Sequence, residues 1–117
     1  FEAVFHFNLY EYLNRFLANK KADVWPEFPT GNGKIDLFIR FRDKTYGIEV
    51  KSYTDNSDFR DAIRQAARYA ASLNMKKIHL AEFVEYIHDE HRQKYEADYT
   101  DEATGIIVAV VFVATGA

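Results

Sequence analysis

The sequence contains no cysteine. Disulfides, thiolate catalysis and cysteine-based zinc sites are therefore excluded, and the absence fits a reducing compartment, so a cytoplasmic protein is expected. No apolar run approaches the roughly 18 residues needed to span a membrane, and no signal peptide is recognisable, so no membrane association is expected. Neither sign of charge dominates: 15 Lys and Arg stand against 18 Asp and Glu, a formal charge of −3. That balance argues against coating nucleic acid by bulk charge but leaves room for a local basic surface. There is no internal repeat, linker or low-complexity tract, so residues 1–117 are read as one domain. The chain opens at Phe1 rather than Met, which suggests a piece cut from a longer protein.

What is present is a core. Apolar residues make up 48% of 117 residues, with ten Phe and eight Tyr, enough for a globular domain. Residues 1–20 place Phe5, Leu9, Tyr12, Leu13, Phe16 and Leu17 at helical spacing. Residues 22–28 read as a short strand whose Pro26 suggests an edge or a strand end. Thr30-Gly31-Asn32-Gly33 is a turn signal. Strands follow at 33–41 and 45–53, turned by Arg42-Asp43-Lys44. Ser57 or Asp58 offers a cap for a helix running to about Leu73, with Asn74 as its stop. Residues 76–85 read as a strand and 86–104 as an acidic, irregular segment with at most one helical turn. The apolar run 106–113 reads as a strand buried on both faces, or as an edge available for a homodimer.

The resulting α-β-β-β-α-β order implies an α/β fold with a mixed sheet flanked by helices. The three early strands can pair as an antiparallel meander, and a right-handed crossover through helix 57–73 would make strand 76–85 parallel to its predecessor.

On strand 45–53, Glu49 and Lys51 are two residues apart and share one face, while Ile48 and Val50 take the other. Asp36 lies between Ile35 and Leu37, so a simple alternation would let it join Glu49 and Lys51. Two carboxylates and an ammonium suit phosphodiester hydrolysis. Hard divalent cations take oxygen ligands, lower the pKa of bound water and neutralise charge growing on the phosphate. A neighbouring lysine can orient the water or stabilise the transition state. The bland alternative is the ordinary alternation of a half-exposed strand.

Two further features bear on this choice. Glu2 falls in the middle of the apolar face of the first helix with His6 close by, a costly place for a carboxylate unless it is paired or binds metal; alternatively Glu2 sits in a frayed helix end. Gln65 and Tyr69, at i and i+4, border the apolar face of the second helix, beside a stripe of Arg60, Arg64 and Arg68. That stripe suits a phosphate backbone, or is a solvated helix side. Residues 34–68 hold eight Lys and Arg against six acids, whereas 86–104 hold two basic residues against six acids. A basic substrate side, including Lys34, and an acidic side turned away from it are expected.

Together these residues resemble the PD-(D/E)XK nuclease superfamily over residues 1 to about 85. The resemblance rests on Gly33-Lys34-Ile35-Asp36-Leu37, Gly47-Ile48-Glu49-Val50-Lys51, the QxxxY motif Gln65-Ala66-Ala67-Arg68-Tyr69 found in RecB-like members, and Glu2-Ala3-Val4-Phe5-His6. The proline of the family name is absent, with Ile35 before Asp36. Trp25-Pro26-Glu27-Phe28 leading into Gly31-Asn32-Gly33-Lys34-Ile35-Asp36 is similar to C-terminal domains of prokaryotic AAA-type ATPases, which implies an attached ATPase domain.

The resemblance implies a restriction-endonuclease-like fold and a deoxyribonuclease. Asp36 and Glu49 would bind Mg²⁺ or Mn²⁺ with the Val50 carbonyl, and Glu2 would add a ligand directly or through water. Lys51 would act on the attacking water, Gln65 and Tyr69 would position Lys51 or the DNA, and Glu27 is a weaker candidate. The alternative is a catalytically silent nucleic-acid-binding or ATPase-regulating module on the same fold.

Other signals carry less. Gly31-Asn32-Gly33-Lys34 lacks the flanking residues of a phosphate loop and reads as a turn. His88-Asp89-Glu90-His91 reads as a solvated turn rather than a metal site. His79 reads as a packed or rim residue.

Overall fold

A computed structural model of the chain describes residues 2–31 and 33–116, apart from the side chains of Glu2 and Asn19. The elements in order are α1 (Glu2–Leu17, continued by a 3₁₀ turn over Ala18–Lys20), β1 (Ala22–Pro29), β2 (Lys34–Phe41), β3 (Lys44–Ser52), α2 (Asn56–Ser72), β4 (Lys77–Val84), α3 (Asp89–Tyr95), β5 (Asp98–Thr100) and β6 (Ile107–Ala114). The fold is α/β, with one mixed six-stranded sheet in the order β1-β2-β3-β4-β6-β5. The meander β1-β2-β3 is antiparallel, and β4 runs parallel to both β3 and β6. The parallel step from β3 to β4 follows from the crossover helix α2.

The two helices take opposite faces. Phe59, Ala62, Ile63, Ala66, Ala67 and Ala70 of α2 pack on Ile35, Ile78, Leu80, Val108, Val110 and Phe112. The alanines let helix and sheet approach closely. On the other face α1 crosses β1 and β3, and Phe5 stacks on Phe83 with ring centroids 4.5 Å apart. This division sets the orientation of every strand residue. Ile78 and Leu80 face α2, so Glu82, two further along, faces α2 as well.

The start and stop of α2 are chemically specified. Its N-cap is Asp55, whose carboxylate accepts from the Asp58 backbone N–H at 2.8 Å, not Ser57 or Asp58 as expected. Asp55 holds an extended backbone, and only a residue outside the helix can turn its side chain back onto the third helical N–H. Asn74, the expected stop, sits at φ 55, the left-handed conformation that asparagine tolerates. Asn74 N–H donates to Ala71 O and Met75 N–H to Ala70 O, closing the last helical carbonyls.

The C-terminal third differs from the sequence reading. The acidic segment contains a seven-residue helix, α3, and a three-residue strand, β5. Strand β6 is neither an edge nor buried on both faces. It lies between β4 and β5, and its Ile107 and Val111 are exposed because α1 covers the β1 and β3 part of that face. Beyond the short β5, α3 completes the seal. Arg92 donates to Phe112 O at 2.9 Å, and the Phe112 N–H donates to Glu96 at 2.8 Å. These two side chains, themselves ion-paired, satisfy backbone groups that would otherwise template another strand. The opposite edge is β1, whose Pro26 and Pro29 present no N–H to a partner.

His79 provides a test of this packing. Burial lowers its pKa from the ordinary 6.5, Lys77 adds to the lowering and Asp98 partly opposes it. The folded chain therefore keeps a neutral imidazole at a pH where the unfolded chain already binds a proton. Stability is full above about 6.5 and falls as pH drops through and below it. Thermal unfolding of His79→Gln is expected to show a shallower loss between about pH 7.5 and 5.5 than the parent chain.

No helix among the described residues is long and apolar enough to cross a membrane.

Candidate active site

Asp36 and Glu49 meet where β2 and β3 splay apart. The antiparallel ladder runs from Phe41↔Lys44 to Leu37↔Ile48 and stops there. One step on, side chains replace the missing backbone rungs. The Asp36 backbone N–H donates to Glu49 Oε1 at 3.0 Å, and the Val50 N–H donates to Asp36 Oδ2 at 2.7 Å. Each carboxylate is thus clamped by a backbone N–H of the other strand.

This geometry corrects the simple alternation around Asp36. Ile35 packs in the core under α2, but so does Phe38, three residues on rather than two. Leu37 is fully buried outside that cluster. The face switches at Asp36, which lets its carboxylate turn into the gap between strands. The β1–β2 ladder also skips here: Pro26↔Leu37 and Phe28↔Ile35 pair, while Glu27, at φ 50, lies opposite Asp36. Glu27 itself is exposed.

Helix α1 reaches the site through His6. Its Nε2 lies 2.7 Å from the Asp36 carbonyl, which can only accept, so this nitrogen carries the proton. Its Nδ1 is then 4.0 Å from Asp36 Oδ1. The sequence placed His6 only as a neighbour of Glu2; its usable signal was its position one turn on from Glu2 on the inward stripe. The Glu2 side chain lies outside the described residues.

Lys51 follows Glu49 by two residues. The backbone of Gly47, two residues before Glu49, is packed toward the α2-side core: a Cβ there would meet Ile35 and Ile78 side chains at 3.3 Å. Glu49 and Lys51 share that face by the period of the strand. Glu49 is buried, and Lys51 opens into a cavity of about 410 Å³ beneath α2, which Gln65, Arg68 and Glu82 also line. Glu82 is the residue that the strand pattern of the sequence concealed. It is 1% exposed and is the register partner of Lys51 across the parallel β3–β4 pair. An acid in phase with inward-facing Ile78 and Leu80 was the available clue, because a buried carboxylate is costly without a partner.

Gln65 and Tyr69 act as a unit. Gln65 Nε2 donates to the Tyr69 hydroxyl at 2.8 Å. The Tyr69 ring in turn underlies the β1–β2 turn. A Cβ on Gly33 would fall 2.8 Å from the Tyr69 hydroxyl oxygen, and Gly33 has φ 139. Glycine is required there for both reasons. Tyr69 thereby props the turn that leads into Asp36, while Gln65 faces the cavity beside Lys51.

The arginine stripe divides. Arg68 lines the Lys51 cavity, whereas Arg60 and Arg64 line a different cleft against α3 and β5. Successive i+4 steps rotate about 40° around a helix, so three arginines so spaced cover about 80° rather than one line. Arg64 is also ion-paired with Asp61. Asp101 and Glu102 line the same cleft as Arg60 and Arg64, so part of the acidic segment sits beside the stripe and not on an opposite side. Lys34 is exposed at the start of β2, at the end of the sheet that carries Asp36. His88 caps the start of α3 without a side-chain bond, and the His91 ring packs among Tyr53, Tyr95 and Phe112. Among the described residues no group of three or more His, Asp or Glu could hold a metal ion.

No protein-family model matches this sequence, no curated protein matches it, and no solved structure matches its fold.

Proposed function

We propose that this domain is a divalent-metal-dependent deoxyribonuclease of the PD-(D/E)XK type, with Asp36, Glu49 and Lys51 as its catalytic residues. The observation that carries the reading is the clamp at the splayed strand ends, where each carboxylate holds a backbone N–H of the other strand. A strand pair that only needed to close a sheet would continue its ladder; here it is traded for two adjoining carboxylates beside a lysine.

The donor set suits a hard cation. Asp36 and Glu49, the Val50 carbonyl and Glu2 from α1 are the groups that would hold Mg²⁺ or Mn²⁺. Mg²⁺ is characteristically held by one or two carboxylates with waters and substrate phosphate, so a larger protein cage is not needed. When bound, the ion supplies an ionised water and neutralises charge on the scissile phosphate. The chain's own residues do the rest. The clamp fixes both carboxylates before substrate arrives. Lys51 holds the attacking water in line or donates to a phosphoryl oxygen as charge develops. Gln65 orients Lys51 from across the cavity, Tyr69 holds the turn before Asp36, and Arg68 with Lys34 meets the flanking phosphates.

The test is cleavage of single- and double-stranded DNA with Mg²⁺ or Mn²⁺. Product is expected from the parent chain and none from Asp36→Ala. If the parent shows no activity above that variant, both as this domain and within any longer protein that carries it, the reading is overturned. DNA binding that survives Lys51→Ala without product from either protein would instead identify a silent binding module. A cytoplasmic setting and attachment to an AAA-type ATPase belong to the same proposal and rest on the absence of cysteine and on residues 25–36.

A further inference from the structure

An aromatic-lined cleft lies away from Asp36, between α2 and the segment from α3 to the turn after β5. Its volume is about 660 Å³, within the range of small-molecule sites. Phe59, 4% exposed, forms the floor. Tyr95 and Tyr99 stand edge-on to Phe59, with ring centroids 5.9 and 5.7 Å away. These walls are braced, because the Tyr99 hydroxyl donates to the Tyr95 carbonyl at 2.7 Å.

Cations flank the aromatic slot from two sides. Arg60 and Arg64 project from α2, and Lys94 from α3 lies 5.3 Å from the Tyr95 ring centre. Arg60 makes no ion pair among the described residues, and the Arg64–Asp61 pair is solvent-exposed and so weakly held. The turn after β5 supplies Thr100, Asp101 and Glu102. The Asp101 carboxylate is engaged with the backbone and hydroxyl of Thr104, at 3.0 and 2.7 Å. The cleft therefore offers aromatic surface from Tyr95 and Tyr99 over Phe59, guanidinium groups on α2 and acceptors on the turn after β5.

We propose that this cleft binds a nucleoside phosphate, with the base against Phe59, Tyr95 and Tyr99 and the phosphate on Arg60 and Arg64. An anion alone would leave the aromatic walls unused, and an uncharged ring would leave the arginines unused. Guanidinium groups match phosphate oxygens in bidentate geometry, and aromatic side chains accept any base by stacking. Thr100 and Glu102 supply acceptors for the amino group of an adenine-type base. The inference rests on the cleft alone and stands whether or not the Asp36 site cuts DNA.

The experiment is a ¹H–¹⁵N NMR titration of this chain with AMP, adenosine and inorganic phosphate in parallel. AMP is expected to shift amides of residues 56–64 and 94–103 and to leave 36–51 unmoved. Adenosine and phosphate should each bind roughly tenfold more weakly than AMP, and Arg60→Ala with Arg64→Ala should weaken AMP by roughly tenfold or more. Both arginines are exposed, so a thermal melt should confirm that the double variant folds. No AMP-dependent shift at millimolar concentration overturns the proposal. Shifts confined to 36–51, phosphate binding as tightly as AMP, or undiminished binding by the double variant overturn it equally.

Discussion

Replacing Lys51 by alanine is expected to lower the rate of metal-dependent DNA cleavage by about 10²- to 10⁴-fold, the range in which a positioned proton donor or charge-stabilising group acts. The loss should fall on kcat. On the proposed reading the substrate phosphates are met by Arg68 and Lys34, while Lys51 lies on the cavity wall, so DNA affinity should change only a few-fold. The metal requirement should also persist, because the Asp36–Val50 and Glu49–Asp36 hydrogen bonds do not involve the lysine side chain. Steady-state and single-turnover cleavage across a Mg²⁺ series, with DNA affinity measured in Ca²⁺, separate these effects. Equal cleavage by parent and variant would remove Lys51 from the chemistry. A loss confined to KM would make it a binding residue. Lys51→Arg keeps the charge but replaces a compact ammonium by a planar fork, so it should recover binding more fully than rate.

Leu80→Ala should destabilise the fold by about 3 kcal/mol, within the 2–5 kcal/mol found for buried leucines truncated in rigid cores. Leu80 is completely buried at the centre of the sheet, paired with Glu49 on β3 and Val110 on β4's other side. It faces α2, where close alanine contacts leave little freedom to collapse into the void. For a domain whose whole stability is about 5–15 kcal/mol, the folded population would be visibly eroded. Val111→Ala is the control. Val111 is 46% exposed on the partly bare face of β6, and its truncation should change stability by less than about 1 kcal/mol. Urea unfolding of the three proteins, compared at their midpoints, checks both values. A Leu80→Ala effect as small as that of Val111→Ala would contradict the burial assigned to β4.

Local chemistry was readable directly from the residues. Helical spacing in α1, Pro26 at a sheet edge, the Gly-rich turn before β2 and the Asn74 stop depend on neighbours within a few positions, where side-chain period and backbone preference act alone. So does the shared face of Glu49 and Lys51, because a strand alternates whatever it pairs with. The α-β-β-β-α-β order followed from counting such segments. The short β5 escaped because three residues carry too little periodicity to be seen and are held only by pairing with β6.

The site itself required contacts between residues at least 13 apart in the chain. That Asp36 turns into the gap between strands depends on where the β2–β3 ladder ends, and that end is set by the clamp with Glu49 and Val50. His6 enters because α1 lies over β1 and β3, and Glu82 because β4 pairs in parallel with β3 at one register. Arg60 and Arg64 part from Arg68 because α3 and β5 fold against one flank of α2. The sequence alone determined that two acids and a lysine could share a strand pair. Only the tertiary structure decided which carboxylates are clamped, which is buried beside the lysine and which arginines face it, because register and docking are collective choices of the whole core and no short window of sequence contains them.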